Sequence, residues 1–226
     1  MDLSITGLLA SMGYPALTVL VVMLLMLVGC VYVFFERLIV FLRSRGQSRE
    51  LAEVVSKPLA AGDIAGALKL IGSEQYKAAY LGAVLKAGLG ELKIRMDEHG
   101  VEAAERALER SLGTETSNLR KGMNILATTG STTPFVGLVG TIFGIITAFS
   151  KMSEAGGGDL TAISGGIAEA LVSTAVGIVI AIVGVWMYNY FNAVIDDISK
   201  DMTTSAQELV DWAKKEVLRR SEAAAK

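Results

Sequence analysis

The sequence has one cysteine, Cys30, and one histidine, His99. A single cysteine excludes an intrachain disulfide and any Cys-x-x-Cys metal or redox signature. Cys30 lies inside an apolar window and reads as a small packing residue. His99 stands in a charged stretch with no cysteine near it, so no metal site and no cofactor are expected. Charge is also scarce. Charged residues make up 19% of the chain, against about 25% in soluble domains. The net charge of −2 gives no electrostatic footprint for nucleic acid. Catalytic signatures are missing too: the apolar segments hold no Gly-x-Ser-x-Gly, no paired aspartates and no His-Glu-x-x-His, so the chain is not expected to be an enzyme.

What the chain has is apolar sequence, 52% of 226 residues, segregated into three windows nearly free of charge. That pattern is an all-α polytopic membrane protein with three transmembrane helices and long cytoplasmic helical extensions. Ala16 to Phe35 is uncharged and rich in Leu, Val and Met. About 20 residues at 1.5 Å each cross a ~30 Å hydrocarbon core. Pro15 suits the first turn of that helix. No basic stretch precedes the run and no small-x-small site follows it, so no cleaved signal peptide is expected. The expected order is a periplasmic N-terminus at 1–15, a first transmembrane helix at 16–36 and a cytoplasmic helical domain at 37–121. A second transmembrane helix with a cytoplasmic extension follows at 122–150, then a periplasmic turn at 151–159. A third transmembrane helix at 160–195 leads into a cytoplasmic helical tail at 196–226. Orientation follows from lysine and arginine. None precedes Arg37, and many lie between the first two apolar windows and after the third, which puts those regions in the cytoplasm.

The polar block from Arg43 to Lys121 has helical spacing interrupted by Pro58, Gly62, Gly72 and Gly100. Leu51 to Leu59, Asp63 to Ile71, Tyr76 to Met96 and Val101 to Leu119 read as helices. Asp63 is placed to N-cap the second of these, with Ile64, Ala67, Leu68 and Ile71 on one face. In the tail, Val210, Trp212, Ala213 and Val217 have helical spacing. Trp186, Tyr188 and Tyr190 read as an interfacial belt near the end of the third apolar segment.

The polar residues inside the apolar segments are few. In the second segment Thr133, Gly137, Thr141, Gly144 and Ala148 recur at three and four, with Pro134 and Gly140 among them. In the third, Gly166, Glu169, Ser173 and Gly177 share a face, and Ala170, Thr174, Gly177, Ala181 and Gly184 form an adjacent small-residue stripe. Small residues allow close helix approach. Glu169 is the one charge in its segment, and a carboxylate there costs roughly 2.5–3.5 kcal/mol on insertion scales. It is expected to face an aqueous path or a partner, toward the outer side of the membrane. Thr174 lies about 140° round the helix from Glu169 at 100° per residue, so the plain count does not put the two on one surface. Three helices cannot enclose a channel alone; a cyclic ring of copies could.

The run Gly130-Ser-Thr-Thr-Pro-Phe-Val-Gly-Leu-Val-Gly-Thr-Ile-Phe-Gly-Ile146, with Gly166-Ile-Ala-Glu-Ala-Leu-Val-Ser-Thr-Ala-Val-Gly177 and Tyr188-Asn189, resembles the ExbB/TolQ/MotA family of proton-channel motor subunits. It is closest to the ExbB and TolQ branch, as is Phe35-Glu36-Arg37. The resemblance is specific over roughly 120–195 and loose in the cytoplasmic block. It implies a homopentamer in the bacterial inner membrane. That ring would enclose an ExbD- or TolR-like single-span partner with an intramembrane aspartate, and would work with a TonB- or TolA-like protein. It maps the family's pore threonines onto Thr141 and Thr174 and its glutamate onto Glu169. Gly137, Gly140, Gly144, Ser173, Gly177 and Pro134 become packing or pore-lining residues. An aromatic often Trp in the branch is Phe143 here. The implied function is to couple the proton motive force to work on the cell envelope: TonB-type import, Tol-Pal maintenance or motility. The alternative is a non-conducting oligomeric scaffold for a single-span partner.

Overall fold

The computed structural model describes residues 13–154 and 160–224. Among these residues there is no strand. Six α-helices and one short 3-10 turn account for nearly all of them. The helices are α1 (Tyr14–Ala60), α2 (Ile64–Ile71), α3 (Tyr80–Ile94), α4 (Glu98–Leu119), α5 (Met123–Glu154) and α6 (Leu160–Ala224). Three are long and apolar enough over part of their length to cross a membrane: α1, α5 and α6.

The apolar run of α1 ends at Glu36, but the helix does not. It continues to Ala60, 47 residues in all. At 1.5 Å per residue that is about 70 Å, more than twice the hydrocarbon thickness. No proline falls between Pro15 and Pro58, and Gly46 alone does not break a helix. α6 is likewise one helix of 65 residues.

The chain forms two compact units. Among the described residues, the membrane unit takes in those up to Phe35 and those within Gly122–Phe191; the second takes in Glu36–Lys121 and those from Asn192 on. In the membrane unit α5 and α6 run antiparallel, and α1 lies along their seam. Its core is Met23, Val19 and Ile180, with Leu20, Leu27, Val136 and Val176 against them. Phe34 packs on Phe191 with ring centroids 5.3 Å apart. Trp186 and Tyr190 are exposed on the surface of α6, and Tyr188 between them is half-buried.

In the second unit the connections have local causes. α1 ends in a Schellman motif. Gly62 N–H donates to the Leu59 carbonyl and Asp63 N–H to the Pro58 carbonyl, while Gly62 takes φ +76°. Asp63 then caps α2 by accepting from Gly66 N–H at 2.8 Å. The helix expected from Tyr76 begins later, at Tyr80, after the 3-10 turn Glu74–Tyr76. The helix expected from Val101 begins earlier, at Glu98, because Asp97 caps it through Gly100 N–H at 2.9 Å. Gly100 therefore sits inside the first turn rather than breaking it. Only glycine fits there, since a Cβ would collide with the Arg95 carbonyl.

The tail buries Ile195, Ile198, Met202, Ala206, Leu209 and Ala213. Of the stripe expected there, only Ala213 belongs; Val210, Trp212 and Val217 flank it half-buried. Lys214 pairs with Glu105 of α4 at 2.8 Å, and Arg120 with Asp196 at 3.5 Å. The Tyr80 hydroxyl donates to Asp201 at 3.1 Å. Burial first, and then the Asp201 charge, push its phenol up to about 12.

Candidate functional site

The site lies in the α5–α6 seam. Gly130, Gly137 and Gly144 repeat every seven residues on α5, as do Ala170, Gly177 and Gly184 on α6. The two sets meet in antiparallel register. A Cβ on Gly144 would come within 2.7 Å of the Ala170 Cβ, and one on Gly177 within 2.8 Å of the Thr133 carbonyl oxygen. A Cβ on Gly137 would lie 2.9 Å from the Ser173 carbonyl oxygen, and one on Gly184 3.1 Å from the Gly130 amide nitrogen. A sustained seven-residue repeat is the signature of helices packed at a shallow angle along their length. Here the repeat is made of residues without bulk, so backbone lies on backbone.

That closeness brings two hydroxyls together. Thr141 Oγ1 and Thr174 Oγ1 are 2.5 Å apart. Thr141 also donates to the Ala170 carbonyl at 2.9 Å, and the Gly137 carbonyl lies 3.3 Å from Thr174 Oγ1. Both threonines are half-buried, so the pair is anchored in the seam yet reachable from one side. A hydroxyl has one proton and two acceptor lone pairs. With Thr141 donating across the seam to Ala170 and Thr174 donating to Thr141, lone pairs on Thr174 are left for an incoming donor.

Glu169 and Ser173 are on another side of α6, and the structure does not hydrogen-bond either to the threonine pair. Glu169 is 9% exposed and Ser173 fully buried. Glu169 lies next in sequence to Ala170, whose carbonyl Thr141 grips. The count of about 140° between Glu169 and Thr174 therefore describes two sides of one seam. Gly140 faces Ser173, with 3.2 Å between the position of a Gly140 Cβ and Ser173 Oγ. Pro134 is half-buried within α5. Just before it, Thr132 and Thr133 return their hydroxyls to the Thr128 and Thr129 carbonyls, each at 2.6 Å. Among the described residues no cluster of three or more His, Cys, Asp or Glu could hold a metal.

Sequence reasoning found the small residues but missed their pairing. The seven-residue spacing shared by the two glycine sets was the available signal. It also left open whether Ser173 lines a pore; in the folded chain Ser173 is enclosed.

The fold and seam define a helical membrane protein with polar groups set within its apolar spans. Residues 77–204, more than half of the chain, match the MotA/TolQ/ExbB proton channel family, and the chain belongs to that family. It is 38% identical over 125 residues to the biopolymer transport protein ExbB of Xanthomonas campestris pv. campestris strain B100, covering 55% of this chain and 47% of that protein. It is 36% identical over 116 residues to the Tol-Pal system protein TolQ of Pseudomonas aeruginosa, covering 49% of this chain and 50% of the relative. A biopolymer transport protein ExbB of Pseudomonas putida is 45% identical over 84 residues, 37% of this chain and 26% of that one. The chain spans about half the length of the curated relatives it matches, or less.

Proposed function

We propose that this chain is the proton-conducting ring subunit of an inner-membrane motor. Five copies enclose a single-span partner that carries an intramembrane aspartate. Protons enter near Glu169 and reach that aspartate beside Thr141 and Thr174. The N-terminus is periplasmic and the C-terminus cytoplasmic. Motion of partner against ring then drives work on the cell envelope, with a TonB- or TolA-like protein as the receiving element. Moving one charge through the membrane potential supplies about 2.3 kcal/mol per 100 mV.

The observation that carries this reading is the Thr141–Thr174 hydroxyl pair, half-buried in a glycine seam inside an apolar span. Its free lone pairs suit a protonated carboxyl, which donates one hydrogen bond and loses that ability when ionised. A channel that alternates between the two forms needs such an acceptor.

The test is Thr141→Val and Thr174→Val, nearly equal in volume to threonine, in cells that express the chain with its partner. Complex assembly is expected to persist while proton flux and envelope work are lost. A variant that energises its pathway fully removes the pore assignment. Glu169→Gln separates the scaffold alternative: a scaffold tolerates it, whereas a proton path slows.

A further inference from the structure

Several hydroxyls on the helices of this chain return to their own backbone. Thr18 donates to the Tyr14 carbonyl at 2.9 Å, Thr133 to Thr129 at 2.6 Å, Thr147 to Phe143 at 2.8 Å and Thr203 to Ser199 at 2.8 Å. Ser173 does not. Its Oγ is buried and has no hydrogen-bond partner, although carbonyls three and four residues earlier are within reach of a serine. One turn away on the same face, Glu169 Oε1 is also buried and unpartnered. Leaving such a group unpaired is unfavourable, the more so when it is charged. Two such atoms side by side point to one shared partner.

The packing limits where it can sit. A Cβ on Gly140 would lie 3.0 Å from both Ser173 Cβ and Val19 Cγ1, so that side is closed and the shared partner lies on the Glu169 side of the hydroxyl. On α1, Val19 approaches Gly140 and Met23 approaches Gly177, so α1 and α6 run in the same direction. That register places Ala16, buried on α1, near the level of Glu169. Side chains four apart on a helix have Cβ atoms about 5–6 Å apart. One water making two bonds of about 2.8 Å joins polar atoms up to about 5.6 Å apart, a separation open to side chains at that spacing. A side chain from another subunit cannot be the partner, because Ser173 is enclosed by its own chain, at 0% exposure.

We propose that Ser173 and Glu169 hold a buried water between them. Ser173 O–H donates to the water oxygen, and the water donates to Glu169 Oε1. Ser173 is then a positioning residue that sets the carboxyl's orientation through this water. The water stands without the conducting role; its use in proton entry rests on that role.

The test is difference infrared spectroscopy on the full chain in lipid. The Glu169 band is first identified by its loss in Glu169→Gln. In Ser173→Ala that band is expected to move, and an O–H band sensitive to heavy-oxygen water to disappear. Proton flux with the partner present should fall several-fold while the ring still assembles. An unmoved Glu169 band with a raised melting temperature overturns the proposal, since it means the hydroxyl was an unpaired burden. A moved band without any water-sensitive band overturns it in favour of a direct Ser173–Glu169 bond. Moved bands in a chain that conducts no protons support the water and remove the conducting role instead.

Discussion

Thr141 Oγ1 on α5 and Thr174 Oγ1 on α6 sit 2.5 Å apart, and the same Thr141 hydroxyl reaches the Ala170 carbonyl at 2.9 Å. The two threonines are not equivalent. Thr141 is held by the partner helix, whereas Thr174 has the freer lone pairs. Serine keeps the hydroxyl and loses a methyl; valine keeps the shape and loses the hydroxyl. Thr174→Ser is therefore expected to retain proton flux within a few-fold, and Thr174→Val to lose it. The stability cost of Thr174→Val should be only about 1 kcal/mol, one net hydrogen bond. Flux into vesicles and the melting temperature of the purified protein, measured on the same variants, check both halves.

Glycine substitution should divide by place. Gly137→Ala and Gly177→Ala put a methyl 2.9 Å and 2.8 Å from backbone oxygens of the facing helix. Backbone does not yield as a flexible side chain does, so α5 and α6 must separate and the threonine pair must open. Overpacking of this kind costs typically 1–3 kcal/mol. Gly46 on α1 and Gly113 on α4 have nothing within 4 Å of a built Cβ. Alanine there should stabilise by roughly 0.5–1 kcal/mol through helix propensity alone. Melting temperatures of the four variants should fall for the first two and rise for the second two.

How much of this was legible in sequence depends on the range of the interaction. Charge-free windows are local, so three long apolar helices could be read directly. Asp63 as a cap could be read for the same reason, because its partner Gly66 is three residues away. Gly100 reads as a break on its own, and only the Asp97 cap three residues before it makes it part of the helix. The continuity of α1 through Glu36 depends on the absence of a breaker rather than on a positive signal. The contact of Thr141 with Thr174 spans two helices, and a face count on one helix cannot set the register between them. The burial of Ser173 required α1 to be placed as well.

Alkaline titration should report the Tyr80–Asp201 bond. The phenol is held at about 12 in the fold, against about 10 in an unfolded chain. A raised value means that its stabilisation is complete below pH 10 and is lost as pH rises toward 12, because the unfolded chain releases that proton first. Tyr80→Phe removes the hydroxyl and this dependence. At neutral pH it should cost about 1 kcal/mol for the bond. The gap in melting temperature between the parent and Tyr80→Phe should narrow from pH 10 upward. A gap that stays constant to pH 12 would show that the hydroxyl titrates as it does in water.

Glu216 supplies the acidic counterpart. Its side chain is 8% exposed and accepts from Arg219 at 2.7 Å and from Arg220 at 2.8 Å. These hydrogen bonds, Arg219's first, hold its carboxyl at about 2. Its Oε1 also lies 3.5 Å from where a Cβ on Gly62 would be, against the turn that joins α1 to α2. A depressed value means that the stabilisation is present above the ordinary carboxylate range and is lost as pH falls through about 2. The two arginine side chains are 70% and 48% exposed, so solvent screens the pair and its worth is about 1 kcal/mol rather than the full shift. Glu216→Gln, which keeps an acceptor and loses the charge, should lower the melting temperature at pH 7 by a few degrees. That difference should shrink as pH falls below 4.5, and 1 M salt should shrink it at neutral pH as well. Amide exchange at Gly62 and Asp63 should quicken in the variant, because the carboxylate that backs their turn no longer draws the Arg219 guanidinium over it.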